Sequence, residues 1–208
     1  QYGATQAWVY AFTFIGGLFA DKILGLRKSL FWGGMLMIVG SIILSIDPVR
    51  FFFIGLGFTI VGTGFFKPNI SSMVGQLYKE GDPRRDAGFS FFYMGVNLGA
   101  LIGGYICIAV AEGSLWQSLV PENLRWNVGF GFAALVMIIS LLTFTQTQKS
   151  LGPIGLTPLP HFDASKRKIW EMATYAGSLL IVPLIIVMVA NTRYTDYFMI
   201  VIGPASIL

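Results

Sequence analysis

Long apolar stretches, most of them close to the length an α-helix needs to cross hydrocarbon, follow one another along this chain with short polar connections between them. Seven can be marked, at Tyr2–Ala20, Leu30–Ile46, Phe51–Tyr78, Ala87–Ala111, Trp126–Phe144, Ile169–Ala190 and Tyr197–Leu208. About 20 apolar residues in a helix cover a bilayer core, and most of the seven reach that length. Barrel strands would be about half as long and would alternate in polarity. The expected fold class is therefore an all-α membrane protein, a bundle of spanning helices. Composition agrees: of 208 residues, 55% are hydrophobic and 12% charged. Soluble domains carry roughly a quarter charged residues, so this chain has too little polar surface to wet a globule.

Several function classes fall away. One cysteine, Cys107, forms no internal disulfide, and one histidine, His161, builds no metal cluster alone. No phosphate-cradling Walker pattern is present, and Gly55-Leu56-Gly57 lacks the third glycine of a dinucleotide fingerprint, since Ile60 stands there. No metal site or cofactor is expected. Neither is an enzyme, because no nucleophile–base pair is visible. The net charge of +4 comes from short basic clusters between apolar segments. That pattern reads as membrane topology rather than nucleic-acid binding.

Lys22, Arg27, Lys28, Lys79, Arg84, Arg85, Lys149, Lys166, Arg167 and Lys168 fall on one side of the expected bundle, against Arg50, Arg125 and Arg193 on the other. The richer side is expected to be cytoplasmic. Trp116, Trp126 and Trp170 near segment ends read as interfacial belts or as ordinary core tryptophans. The polar connection Gln146–Lys168, with Pro153, Pro158 and Pro160, reads as a flexible cytoplasmic linker. Three units are thus expected: a bundle over 1–146, a linker over 147–168, and a truncated accessory hairpin over 169–208 that need not join the first bundle. Both ends read as cut. The first apolar run has no basic region before it, unlike a signal peptide, and the last is too short to span.

Lys67 is the most informative residue. It lies sixteen residues after Phe51 and eleven before Tyr78, too deep for easy snorkelling. An unpaired ammonium there costs about 3 kcal/mol, so it must face a protein interior or a watery cavity. All ten acids, Asp21, Asp47, Glu80, Asp82, Asp86, Glu112, Glu122, Asp163, Glu171 and Asp196, lie in connections or near helix ends. A counter-charge would have to come from another helix or from an anionic ligand. The alternative is a structural lysine bonded to a backbone carbonyl freed by Pro68.

Tyr93 and Asn97, four apart, share a helix face and suit a polar wall that orients a ligand, although an asparagine there also serves as interhelical glue. Tyr10 is a weaker candidate. Gly95, Gly99 and Gly103, and on the third segment Gly55, Gly57, Gly62 and Gly64, read as helix-packing surfaces. The loop Gly17-Leu-Phe-Ala-Asp21-Lys22-Ile-Leu-Gly25-Leu-Arg27-Lys28 could latch a neighbouring helix end electrostatically, or simply satisfy positive-inside topology.

That loop resembles the G-x-x-x-D-[RK]-x-x-G-x-[RK]-[RK] signature of the major facilitator superfamily. Phe65-Phe66-Lys67-Pro68-Asn69-Ile70-Ser71, with Asp82-Pro83-Arg84-Arg85-Asp86-Ala87-Gly88-Phe89, resembles the fourth-helix region of proton-dependent oligopeptide transporters. Phe89-Ser-Phe-Phe-Tyr93-Met-Gly-Val-Asn97-Leu-Gly99-Ala is similar to their F-x-x-F-Y-x-x-[VI]-N-x-G fifth-helix signature. The resemblance runs from Tyr10 to about Phe144 and implies part of an N-terminal half, helices two to six, followed by accessory helices. It implies a first helix with an E-x-x-E-R-F motif and a C-terminal half elsewhere in the same transporter.

The resemblance further implies proton-driven symport of di- and tripeptides by alternating access, in the inner membrane of a bacterium, with small peptides and the lipid bilayer as partners. Lys67 would meet the peptide carboxylate and take part in proton coupling. Asn97, Tyr93 and Tyr10 would line the peptide cavity, and Asp21, Gly25 and Arg27 would form the cytoplasmic gating motif. A relative carrying another small anion such as nitrate, or a non-transporting membrane subunit, are the competing expectations.

Overall fold

A computed structural model of the protein describes residues 2–113, 118–156 and 164–191. Six long helices carry them: α1 (Tyr2–Phe19), α2 (Leu26–Ile46), α3 (Phe52–Gln76), α4 (Arg84–Ala111), α5 (Arg125–Thr147) and α6 (Ala164–Ala190). No strand occurs among the described residues. Helices suit a chain in lipid because each backbone N–H and C=O finds its partner within the same segment. Segments 5–24, 26–46, 84–111, 122–151 and 165–190 are long and apolar enough to cross a membrane. The seventh expected stretch, Tyr197–Leu208, lies outside the described residues, as do Arg193, Asp196, Trp116, His161 and Asp163.

α3 is not among those five segments, although its 25 residues suffice in length. Glycines and the sequence Lys67-Pro68-Asn69 dilute its apolar content. Position explains the composition. α3 lies at the centre, with α1, α2 and α6 packed against it, so it needs small residues more than greasy ones. A Cβ at Gly62 would come within 2.7 Å of the Gly33 carbonyl oxygen, and one at Gly40 within 2.6 Å of the Gly55 carbonyl oxygen. Gly33 and Gly40 on α2 thus meet Gly62 and Gly55 on the antiparallel α3, with seven residues, about two turns, between contacts on each helix. Gly64 sits in the same way against Phe12 of α1, and Gly57 against Ile186 of α6. The packing surface expected on α3 is present. The stripe on α4 is different, since a Cβ at Gly95, Gly99 or Gly103 would meet nothing within 4 Å among the described residues.

Local chemistry sets the turns. α1 runs into a π-helical turn, Ala20–Leu24, closed by Gly25 at φ 80°, whose N–H donates to the Ala20 carbonyl at 2.8 Å. Glycine adopts that φ without steric cost. Between α2 and α3, Asp47 Oδ1 accepts from the Val49 and Arg50 amides at 3.1 and 2.9 Å. Before α4, Asp82 Oδ1 accepts from the Arg84 amide at 2.9 Å, satisfying one of the orphan donors of a helix start. The Arg84 guanidinium donates to both Asp82 carboxylate oxygens, at 3.1 and 2.8 Å. Those bonds hold the Asp82 carboxyl at about 2, below its ordinary 3.8.

The connection after α5 departs from the expected free linker. Gln148–Leu151 forms a 3-10 turn, and Arg27 reaches across to the residues that follow. Its Nε donates to the Ile154 carbonyl at 2.7 Å, a terminal nitrogen to the Gly152 carbonyl at 2.6 Å, and its amide to the Gly155 carbonyl at 3.1 Å. Nor does α6 stand apart. Lys28 pairs with Glu171 at 2.6 Å, Trp32 Nε1 donates to Ser178 Oγ at 2.9 Å, and Val182, Ile185 and Val189 join one core cluster with Trp8, Phe12, Ile60 and Phe65. Hydrophobic burial and these cross-helix bonds place α6 on the bundle.

Candidate functional site

Lys67 projects from α3 with an exposed side chain. α3 ends at Gln76, earlier than the apolar stretch suggested, so Lys67 lies nine residues, roughly 14 Å along the axis, from that end. No carboxylate among the described residues pairs with it. Its Nζ instead stands over the Tyr10 ring of α1, 5.2 Å from the centroid. The electron-rich face of a phenol ring attracts a cation by about 0.5–1 kcal/mol at exposed positions. That is enough to orient a side chain and too little to hold it against a carboxylate.

The structural alternative for Lys67 can be examined at Pro68. A proline cannot donate to the carbonyl four residues earlier, here Gly64. The backbone of Gly16 on α1 lies directly against that carbonyl, and Lys67 Nζ makes no hydrogen bond to any described carbonyl. Asn69, 1% exposed, donates its Nδ2 to the Phe65 carbonyl at 2.6 Å and so keeps the polar atoms beside the proline satisfied. The proline is accommodated without a hydrogen bond from the lysine to a described carbonyl.

On α4, Tyr93 is half exposed, its ring stacked 6.4 Å from Phe89 and edge-on to Phe92 at 5.2 Å. Asn97 is exposed one turn further along and makes no side-chain hydrogen bond to a described residue. Lys67 and Tyr10 are therefore brought together, while Tyr93 and Asn97 sit together on a neighbouring helix without touching that pair. Phe89 continues their stripe to Arg85, whose guanidinium lies 6.0 Å over the Phe89 ring. In the sequence Arg85 reads as topology and Phe89 as part of the fifth-helix signature, while the four-residue spacing 85, 89, 93, 97 places them on one face with Tyr93 and Asn97.

At the α1–α2 turn, Gly25 provides the left-handed backbone and Arg27 provides the fork that grips Gly152 and Ile154. Asp21 is exposed, forms no ion pair among the described residues, and lines a cavity of about 210 Å³ with Gly25, Gln76 and Pro153. The contacts that this loop makes are the Arg27 bonds to carbonyl oxygens and the Lys28–Glu171 ion pair, and Asp21 enters no ion pair among the described residues.

With this geometry in hand, similarity to known proteins is informative. Residues 27–159 match the family described as PTR2: POT family. The uncharacterized transporter YclF of Bacillus subtilis is 43% identical over 149 residues, 71% of this chain and 28% of that protein. A di-/tripeptide transporter of Lactobacillus helveticus is 39% identical over 152 residues, 72% of this chain and 30% of its own length. This chain thus spans under a third of the length of these curated relatives. A solved bacterial homologue of the human drug peptide transporters PepT1 and PepT2, 24% identical, superposes with a TM-score of 0.83 over 98% of this chain and 44% of that one, which establishes the fold. The helices, their glycine-lined crossings and the matched sequence agree: this chain belongs to the POT family, with the helical membrane fold of the major facilitator type.

Proposed function

We propose that this chain forms part of a proton-driven importer of di- and tripeptides, in which Lys67 receives the substrate's carboxylate. One observation carries the reading: an exposed ammonium deep along α3, held only by the face of Tyr10 and without a carboxylate partner among the described residues. A short peptide is a zwitterion whose side chains vary while its termini and amides do not. A cation for the carboxylate, with the Asn97 amide and the Tyr10 and Tyr93 hydroxyls for the backbone, reads the invariant parts. The di-/tripeptide relative supports the same substrate class.

In this reading a first helix and a C-terminal half of the same transporter complete the site. A carboxylate on the first helix alternates between pairing with Lys67 and carrying a proton, and no cofactor is used. Protonation frees Lys67 for the peptide, which links the proton gradient to the choice between outward and inward states. Two halves rocking about the site then expose it alternately to either side of a bacterial inner membrane. Asp21, Gly25 and Arg27 close the cytoplasmic side.

The test is uptake of a labelled dipeptide by the full-length transporter in proteoliposomes under an imposed pH gradient. Lys67→Ala and Lys67→Gln should abolish gradient-driven uptake while the protein still inserts. Wild-type uptake in either variant would remove Lys67 from the mechanism, and no uptake by the wild-type protein would favour a non-transporting subunit. Competition by nitrate but not by dipeptide would favour an inorganic anion as substrate.

A further inference from the structure

We infer that Arg85 forms a second carboxylate-binding site at the mouth between the end of α3 and the start of α4, and that it receives the peptide's C-terminus after Lys67 releases it. The inference rests on the peptide-transport reading above and adds a station to it. A cavity of about 570 Å³ opens there, lined by Ser71, Ser72 and Gln76 of α3, Glu80 of the connection, and Arg85 and Phe89 of α4. Its volume falls within the roughly 300–1,000 Å³ typical of small-ligand sites.

The two adjacent arginines at this mouth are not equivalent. Arg84 is committed to Asp82, which it grips through two nitrogens while Asp82 also caps α4. Arg85 forms no ion pair among the described residues. Its guanidinium lies over the Phe89 ring at 6.0 Å, and a Cβ built on Gly75 would stand 3.6 Å from its terminal nitrogen. A guanidinium that rests over an aromatic ring and beside a glycine is partly oriented before a ligand arrives, and its fork suits a carboxylate. Glu80, on the wall of the same cavity, offers the opposite charge for the amino terminus of a zwitterion.

Helix geometry joins this cavity to the proposed peptide site. Lys67, Ser71 and Gly75 follow at four-residue intervals on α3, and Asn97, Tyr93, Phe89 and Arg85 do so on α4. Each stripe runs from the proposed site to the cavity. Lys67 and Gly75, against which Arg85 rests, are about 12 Å apart along the helix. An extended tripeptide spans about 10 Å. A peptide passing its carboxylate from Lys67 to Arg85 therefore moves by roughly its own length.

The distinguishing measurement is side-specific. Full-length transporter in proteoliposomes would be assayed for dipeptide counterflow, with the KM determined separately from the α3–α4 mouth side and from the opposite side. Arg85→Gln should raise the mouth-side KM about tenfold, the loss of one charge-assisted bidentate contact, and leave the other KM within about twofold. Arg85→Lys should recover part of the loss. Arg84→Gln should leave both KM values unchanged, and a dipeptide with an amidated C-terminus should not distinguish Arg85→Gln from wild type. An equal KM change on both sides, or none on the mouth side, overturns the inference while leaving peptide transport standing. A wild-type protein that carries no peptide overturns both.

Discussion

The pairing of Lys67 with Tyr10 sets a small, readable energy on the residue proposed to receive the substrate's carboxylate. A cation–π contact at an exposed site is worth about 0.5–1 kcal/mol, or about two- to fivefold in an equilibrium. If the ring holds the ammonium where a carboxylate will meet it, Tyr10→Leu should raise the uptake KM of the full-length transporter about two- to fivefold. Tyr10→Phe keeps the ring face and should stay close to wild type, unless the hydroxyl also touches the peptide. Measured KM values for the two variants separate ring from hydroxyl. Lys67 was legible in the sequence because a lone charge inside an apolar run has few physical explanations. Its resting partner was not, because a tyrosine in an apolar segment has many uses and only the crossing of α1 over α3 shows which face it meets. Arg85 was hidden for the opposite reason: beside Arg84 in a basic loop, it reads as topology until the structure shows which arginine Asp82 takes.

At the scale of helices, burial of α3 depends on backbones that approach closely enough for a methyl group to be one atom too many. Gly62 stands against the Gly33 carbonyl and Met37, so Gly62→Leu should force α2 and α3 apart and destabilise the bundle by about 1–3 kcal/mol. Among the described residues, nothing lies within 4 Å of the place a Cβ on Gly177 of α6 would take. Gly177→Ala should therefore be neutral or stabilising by about 0.5–1 kcal/mol through helix propensity alone. Thermal unfolding of the full-length protein in one detergent should show these opposite signs, and equal loss in both variants would refute this account of the crossings. The two glycines are indistinguishable in the sequence, each a small residue inside an apolar helix. The α3 series places Gly55, Gly57, Gly62 and Gly64 within ten residues and reads as a packing surface. The evenly spaced stripe Gly95, Gly99 and Gly103 carried an equally good pattern and meets nothing among the described residues. Pattern alone reports that a close approach is possible, and the partner decides whether it happens.

Across the whole molecule, the order of the long helices follows the apolar stretches, although the central α3 falls short on hydropathy, whereas the way the connection after α5 ties the bundle together is not visible in the sequence. Prolines and polar residues there signal a loop, and a loop's freedom depends on bonds that distant residues make to its backbone. Arg27 supplies them, joining the α1–α2 turn to Gly152 and Ile154 more than 120 positions away. Removing the side chain should release that segment without disturbing the helices, whose packing lies elsewhere. In Arg27→Ala, limited proteolysis of the full-length transporter should cut within 148–156 several times faster than in wild type, and gradient-driven uptake should fall while thermal stability changes little. Arg27→Lys retains the charge but not the planar fork that reaches two carbonyls at once, so it should protect the segment only in part. If charge alone formed the latch, lysine would restore it fully. Unchanged cleavage in Arg27→Ala would mean that the turn and the connection are neighbours without being coupled.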